Sequence, residues 1–321
     1  MTKKERILAV LQHKKTDVIP WTMYQSFPPW GETELIFRND GLAMIYQHFP
    51  VCKVLIPDVE VTEENRFVLK NGTGRNIIVR KFKTPVGEVS ARHEFFINSL
   101  PGPGDLIQKF GSDIDAEILS WVTEFPFKSE EDYRVLEFIY SNMVFKPNNE
   151  DYLLTEKLIG EEGVIFVSMG RSPFQMLLYE LIGPNNCFIE YFNNPDKFKR
   201  LYNLLWERQE EKYQIAKKSP AKIIWAPDNI SGVLTSPKFF KNYVLPFYNE
   251  MADILHDSGK LYGVHMDGLL SPISLLIAET KLDIIEAFTP PPMGDLSIAD
   301  AMKIWKNKAI WINFPASIIA T

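Results

Sequence analysis

In the last quarter of the sequence, His265, Asp267 and Glu286 have the side-chain types and spacing for metal or acid–base chemistry. His265 closes the apolar run Leu261–His265, Asp267 follows it, and Glu286 lies inside the run Ile284–Phe288. A carboxylate within such a run is seldom buried unless it is paired or metal-bound. If the two runs are neighbouring parallel strands, their ends bring His265 and Glu286 together. His265, Asp267 and Glu286 then make a His/carboxylate metal site with an open position. Each has a structural rival. His265 can be a hydrogen-bonded residue at a strand end, Asp267 can cap a helix beginning near Leu269 or Ser271, and Glu286 can be one half of a buried pair.

Other candidates follow earlier strand-like runs. Asp228 and Asn229 come after Ile223–Ala226, either to position a substrate or to form an Asx-turn. Arg171 follows the run at 164–168 and suits an anion, or a surface salt bridge. Tyr179 lies on an amphipathic helix, where core packing competes with function. Trp21, Met23, Tyr24, Phe27 and Trp30 form an aromatic patch, either a ligand wall or a lid packed on the fold. His13, His48, His93 and His256 are assigned no role.

Composition removes several function classes. Lys+Arg 35 against Asp+Glu 41 gives a net charge of −6 without a basic cluster, so nucleic acid is not an expected partner. The 2 cysteines, Cys52 and Cys187, cannot make a disulfide framework and read as buried thiols of a reducing cytosol. No stretch approaches the roughly 20 apolar residues of a membrane span, and the N-terminus lacks a signal-peptide pattern, so a cytoplasmic protein is expected. No Gly-rich phosphate loop and no nucleophile elbow is present, since Gly170-Arg171-Ser172-Pro173-Phe174 lacks the second glycine.

The elements that must position these residues alternate. Thr2 and Glu5 form a capping box for a helix through about His13. A turn at 17–21 enters a short strand, a helix is expected at 33–49 with Gly41 as its candidate break point, and a second strand at 51–56. Residues 61–98 read as an antiparallel meander, with turns at Asn71-Gly72 and Pro85-Val86-Gly87. A helix N-capped by Ser129 is expected at 129–142, followed by a Pro/Asn-rich connection at 144–149. Strands at 164–168, 223–226, 261–265, 284–288 and 309–313 then alternate with helices at 174–182, 195–217, 237–258, 270–280 and 298–306. Such alternation means a parallel sheet in one α/β domain, 1–321. Seven parallel-type strands are counted where a TIM-type barrel has eight, so the last βα unit is expected to be missing from this chain.

These residues also carry a family resemblance. Glu5-Arg6-Ile7-Leu8-Ala9 and Asp17-Val18-Ile19-Pro20 open the pattern. Ser172-Pro173-Phe174 with Tyr179 and Gly183, Asp228, and Ser236-Pro237 with Phe240, Tyr243 and Leu245-Pro246 continue it. It ends with Gly259-Lys260, Val264-His265, Gly268, Glu286-Ala287-Phe288-Thr289-Pro290 and Gly294-Asp295. In this order and spacing the chain resembles the uroporphyrinogen decarboxylase superfamily over essentially its whole length. The resemblance implies a (β/α)8 TIM-type barrel with its site at the C-terminal strand ends. It implies one of two chemistries, cofactor-free decarboxylation of uroporphyrinogen or zinc-assisted methyl transfer between a corrinoid protein and a thiol or related acceptor.

The decarboxylase branch carries Met-Arg-Gln-Ala-Gly-Arg after its first strand. Here the run is Met23-Tyr24-Gln25-Ser26-Phe27-Pro28, without either of the arginines that would hold substrate carboxylates. The methyltransferase branch carries His-x-Cys at the end of its fifth strand. Here His265-Met266-Asp267 keeps the histidine and offers a harder oxygen ligand in place of the thiolate. The expectation is a corrinoid-dependent methyltransferase of this family, with zinc on His265, Asp267 and Glu286 activating the methyl acceptor. Tyr179 and Asp228 are its expected catalytic residues, and Trp21, Tyr24, Arg171 and Asn229 its substrate contacts. A corrinoid protein is expected to dock at the barrel mouth beside the meander, and the family permits a homodimer. The alternatives are a uroporphyrinogen decarboxylase-type lyase of porphyrin biosynthesis and a non-catalytic binding barrel.

Overall fold

Thr2 caps the helix Lys3–Leu11 as its sequence requires. Its Oγ1 accepts the Glu5 N–H at 3.1 Å, while Glu5 Oε2 accepts the Thr2 N–H at 2.8 Å. The computed structural model describes residues 1–25, 31–47, 51–70, 73–97 and 120–314. In chain order its strands are β1 (Thr22–Tyr24), β2 (Ala43–Gln47), β3 (Cys52–Leu55), β4 (Glu60–Lys70), β5 (Thr73–Thr84), β6 (Gly87–Ile97), β7 (Ser120–Glu124), β8 (Val144–Pro147), β9 (Gly163–Ser168), β10 (Ile223–Ala226), β11 (Leu261–His265), β12 (Ile284–Phe288) and β13 (Ala309–Ile312).

Seven of these form one parallel sheet, ordered β1-β2-β9-β10-β11-β12-β13. It curls until its outer strands meet through side chains. Trp311 Nε1–H on β13 donates to Thr22 Oγ1 on β1 at 2.8 Å. This is a barrel-like α/β fold, with seven parallel strands among the described residues rather than eight. Alternate strand residues point inward. Ala43, Ile45, Val164, Phe166, Ile223, Trp225, Ile284 and Ala309 share one buried cluster with Ile7 and Leu11 of the first helix. That helix therefore closes the end of the sheet where the strands begin. Ile165, Val167, Ile224, Val264 and Ile285 face the opposite way, into the layer beneath the outer helices.

The seven-strand count was anticipated, but one member was not. The expected helix at 33–49 ends at Asn39, where Asp40-Gly41 turns the chain, and Ala43–Gln47 becomes β2, paired with β1 and β9. The expected second strand is instead β3, paired antiparallel with β8 in a separate two-stranded sheet. That pairing also corrects the connection expected at 144–149. The first strand starts at Thr22, leaving Val18 and Ile19 exposed. At the helix Asp132–Ser141 the expected Ser129 cap is reversed. Asp132 Oδ2 accepts the N–H groups of Lys128 and Ser129 at 2.7 and 2.8 Å.

The meander is a four-stranded antiparallel sheet, β4-β5-β6-β7. Its base joins the main core through Val89, beside Val135 of the helix Asp132–Ser141. Cys52 and Cys187 are both free and buried, as expected. Among the described residues, no helix is long and apolar enough to cross a membrane.

Candidate functional site

Inward positions on three adjacent strands converge at one end of the curled sheet. β11 places His265 beside its register partner Glu286 on β12, and β10 places Trp225 beside Gly263. These are the strands' C-terminal ends, the face that carries chemistry in parallel barrels. Glu286 is fully buried, and its carboxylate accepts from three side-chain donors among the described residues. Its Oε1 accepts the Tyr24 hydroxyl from β1. Its Oε2 accepts Trp225 Nε1–H at 3.0 Å and His265 Nδ1–H at 2.7 Å. A carboxylate so held satisfies the pairing that burial of charge demands.

With Nδ1 on Glu286, the other ring nitrogen faces Asp267, with Nε2 3.5 Å from Asp267 Oδ2. Burial alone would push the His265 imidazole down, but the Glu286 and Asp267 carboxylates outweigh it and hold the group up at about 10. Burial opposes the ionised Asp267, but the hydrogen bond and charge of His265 hold its carboxyl below the usual range. Burial, reinforced by the Glu286 charge, pushes the Tyr24 hydroxyl well up, so it stays a donor.

Local backbone explains the placement. A Cβ on Gly268 would lie 2.5 Å from Ser231 Cβ and 2.6 Å from the Ile230 carbonyl oxygen. Glycine thus lets the loop after β11 close onto the loop after β10, carrying Asp267 into position. The helix-capping rival for Asp267 is taken by another residue, because Asp295 Oδ1 accepts the Leu270 and Ser271 N–H groups at 2.8 and 3.0 Å. Directly after Glu286, Ala287 has a φ of 61°, and the β12–β13 register shifts between Ile285 and Phe288. This bulge ends the inward alternation at Glu286 and turns Phe288 outward against Trp305, with ring centroids 5.5 Å apart.

The remaining sequence candidates separate into groups. Arg171 lies over the Tyr179 ring at 5.1 Å, ion-pairs with Glu180 at 3.3 Å and donates to the Pro227 carbonyl. Tyr179 is half-buried and feels the charges of Arg171, Asp267 and Asp228, though burial dominates and raises its hydroxyl. Asp228 is fully buried and turned to the fold's own donors. Its Oδ1 accepts the Ser172 N–H at 2.7 Å, and its Oδ2 the Tyr248 hydroxyl at 2.6 Å. Burial raises its carboxyl against those donors. Neither carboxylate oxygen makes the Asx-turn weighed above. Asn229, at φ 50°, is exposed beside it.

Trp21 does not join the group. It sits where β1 begins, at the opposite end of the strands, edge-on to Phe37 at 6.0 Å and 3.4 Å from the Asp40 carbonyl oxygen. Phe27, Pro28 and Trp30 lie outside the described residues. Tyr24, expected to contact substrate, donates its hydroxyl to Glu286.

Sequence reasoning missed three contributors. Trp225 was readable as an inward position of the alternating Ile223–Ala226 strand. Gln209 and Lys212, on the helix Pro195–Lys218, hold the loop after β9. Gln209 Nε2–H donates to the Arg171 carbonyl at 2.7 Å and the Lys212 ammonium to that of Met169. Their polarity on a long amphipathic helix gave no sign of an inward reach.

A metal tests differently at the two carboxylates. Glu286 lies on the far nitrogen of His265 with both oxygens engaged, so it stands behind the imidazole and does not share an ion with Asp267. His265 Nε2 and Asp267 Oδ2 do fit. Zinc bonds imidazole nitrogen and carboxylate oxygen at about 2.0–2.2 Å, which spaces two tetrahedral ligands by about 3.4 Å, close to the 3.5 Å observed. Among the described residues no group of three or more His, Cys, Asp or Glu is arranged to hold an ion, so these residues offer two points of attachment here.

No protein-family model matches the chain. No curated protein matches it either. Among solved structures, it is similar to a methyltransferase from Methanosarcina mazei, with a TM-score of 0.50 and 12% identity over 97% of this chain and 82% of that one. At that identity the likeness is one of fold alone, and this chain shares the α/β fold of that structure.

Proposed function

We propose that this chain is a methyl-transferring enzyme of the uroporphyrinogen decarboxylase-like kind, working with a divalent metal and a corrinoid protein. The observation that carries the reading is the line Glu286–His265–Asp267 at the C-terminal ends of β11 and β12. Glu286 fixes the ring and its tautomer, so that Nε2 and Asp267 together face the mouth of the fold. His265 and Asp267 would hold the ion, whose chemistry when bound is to accept a thiol as thiolate and so make it a nucleophile. Tyr24 and Trp225 hold Glu286 in place by donating to its carboxylate oxygens. Arg171 and Tyr179 stand on the neighbouring wall, where a cation over a ring suits an acceptor bearing an anionic group. The face is open enough for Asp267, whose side chain is 45% exposed, to meet a docked partner.

The test is zinc content by mass spectrometry, followed by demethylation of methylcob(III)alamin with thiol acceptors, read as cob(I)alamin absorbance. Near-stoichiometric zinc, lost with activity in His265→Ala, supports the reading. Protein that takes up no ion after reconstitution and leaves every methylcorrinoid unchanged ends it.

One observation favours a second reading. Both nitrogens of His265 face carboxylates, an arrangement that also suits a metal-free imidazolium proton donor, as a decarboxylating lyase needs. Turnover that survives a strong chelator but not His265→Ala would select it.

A further inference from the structure

The far part of the meander is unlike the rest of the molecule. β4 is a terminal strand of its sheet, 11 residues long, and exposed along nearly its whole length. It carries Val61 at 50%, Phe67 at 59% and Leu69 at 70% exposure. Long apolar edges are pairing templates, which proteins normally shorten, bulge or cover. Among the described residues this edge is neither short nor bulged nor covered, and its charges are ordered.

Read outward from Asn65, the strand is complementary to its own reverse at three of its five mirror pairs, 64/66, 61/69 and 60/70. Glu64 mirrors Arg66, Thr62 mirrors Val68, Val61 mirrors Leu69, and Glu60 mirrors Lys70. Glu63 mirrors Phe67, with its carboxylate already held by Arg80 at 2.8 Å. We propose that β4 is a homodimerisation strand, pairing antiparallel with β4 of a second copy about a two-fold axis at Asn65.

Several consequences follow from that register. Residues of equal parity share a face, so Val61, Phe67 and Leu69 of both copies gather on one side. On the other side, Glu64 of each copy meets Arg66 of its partner. In the single chain these two exposed side chains pair with each other along the strand at 2.6 Å, and Glu64 also lies 4.0 Å from Lys81. The product is a continuous eight-stranded sheet made from two four-stranded ones. Such an interface is isologous and closed, so the apolar edge ends in a dimer rather than a fibre. One strand-to-strand contact is a small interface, so dissociation on the order of micromolar is expected.

Sedimentation velocity of the full chain across micromolar concentrations tests this. A concentration-dependent dimer is expected. Glu64→Lys or Arg66→Glu alone puts like charges opposite each other twice and should weaken the dimer by about tenfold or more. The double variant restores opposite charges and should return to within about threefold of the parent. Independently, Asn65→Cys should oxidise to a disulfide-linked dimer, because residue 65 faces its own copy, whereas Thr62→Cys should not. A monomer at every concentration overturns the proposal. So do a dimer that neither single reversal weakens, a double variant no better than the singles, and cross-linking through residue 62 but not 65.

Discussion

At His265 the two ring nitrogens face different carboxylates, and the consequences can be separated by substitution. Removing the imidazole leaves Glu286 buried with only the Tyr24 and Trp225 donors. His265→Ala is therefore expected to lower unfolding free energy by about 3–5 kcal/mol in chemical denaturation, as when one partner of a buried pair is lost. Glu286→Gln should retain the ion but weaken its binding by about 10–100-fold, measured by calorimetric titration, because Glu286 acts through the ring. Loss of the ion altogether would instead make Glu286 a direct ligand. The pH dependence follows from the raised histidine. In the metal-free protein the folded state holds a proton up to about 10 that the unfolded chain gives up near 6.5. The pair's stabilisation is complete below the lower value and is lost as pH rises toward the higher one. Unfolding curves across this range should show a fall that His265→Gln lacks.

Among the elements, β12 has the most informative backbone. Ala287 adopts a left-handed conformation that only glycine takes without strain. Ala287→Gly should raise stability by about 1 kcal/mol, and Ala287→Val should lower it; a thermal melt of each checks the sign. If the bulge aims Glu286, the glycine variant should also loosen the site and weaken ion binding. The later strands were legible in the sequence because buried parallel strands are short apolar runs set off by Gly, Pro and Asp. β10, β11 and β12 fall on the boundaries expected from Ile223–Ala226, Leu261–His265 and Ile284–Phe288. β2 was not legible. Ala43–Gln47 follows a helix directly, and its alternation cannot be distinguished from the inner face of a longer helix until its neighbours are known. The pairing of β3 with β8 was hidden for a related reason, since about 90 residues of meander and helix separate the partners. At the site, the meeting of His265 and Glu286 followed from adjacent strands. Which nitrogen met which carboxylate did not, because that depends on Tyr24 and Trp225 reaching in from other strands.

For the whole molecule, the first helix and the last described strand depend on each other. Ile7 is buried in the same cluster as Ala309, so Ile7→Ala should cost about 2–5 kcal/mol although it lies far from the candidate site. A single cooperative melt shifted to lower temperature is expected; a separate early transition would mean the helix folds independently. The Trp225 ring stands edge-on to the His265 ring, with centroids 6.0 Å apart, while its N–H is bound to Glu286. A histidinium quenches indole emission more than a neutral imidazole does. The protein therefore carries its own optical gauge of the site. Its intrinsic fluorescence should brighten as His265 loses its proton, whether to base or to an arriving ion, and the response should vanish in Trp225→Phe.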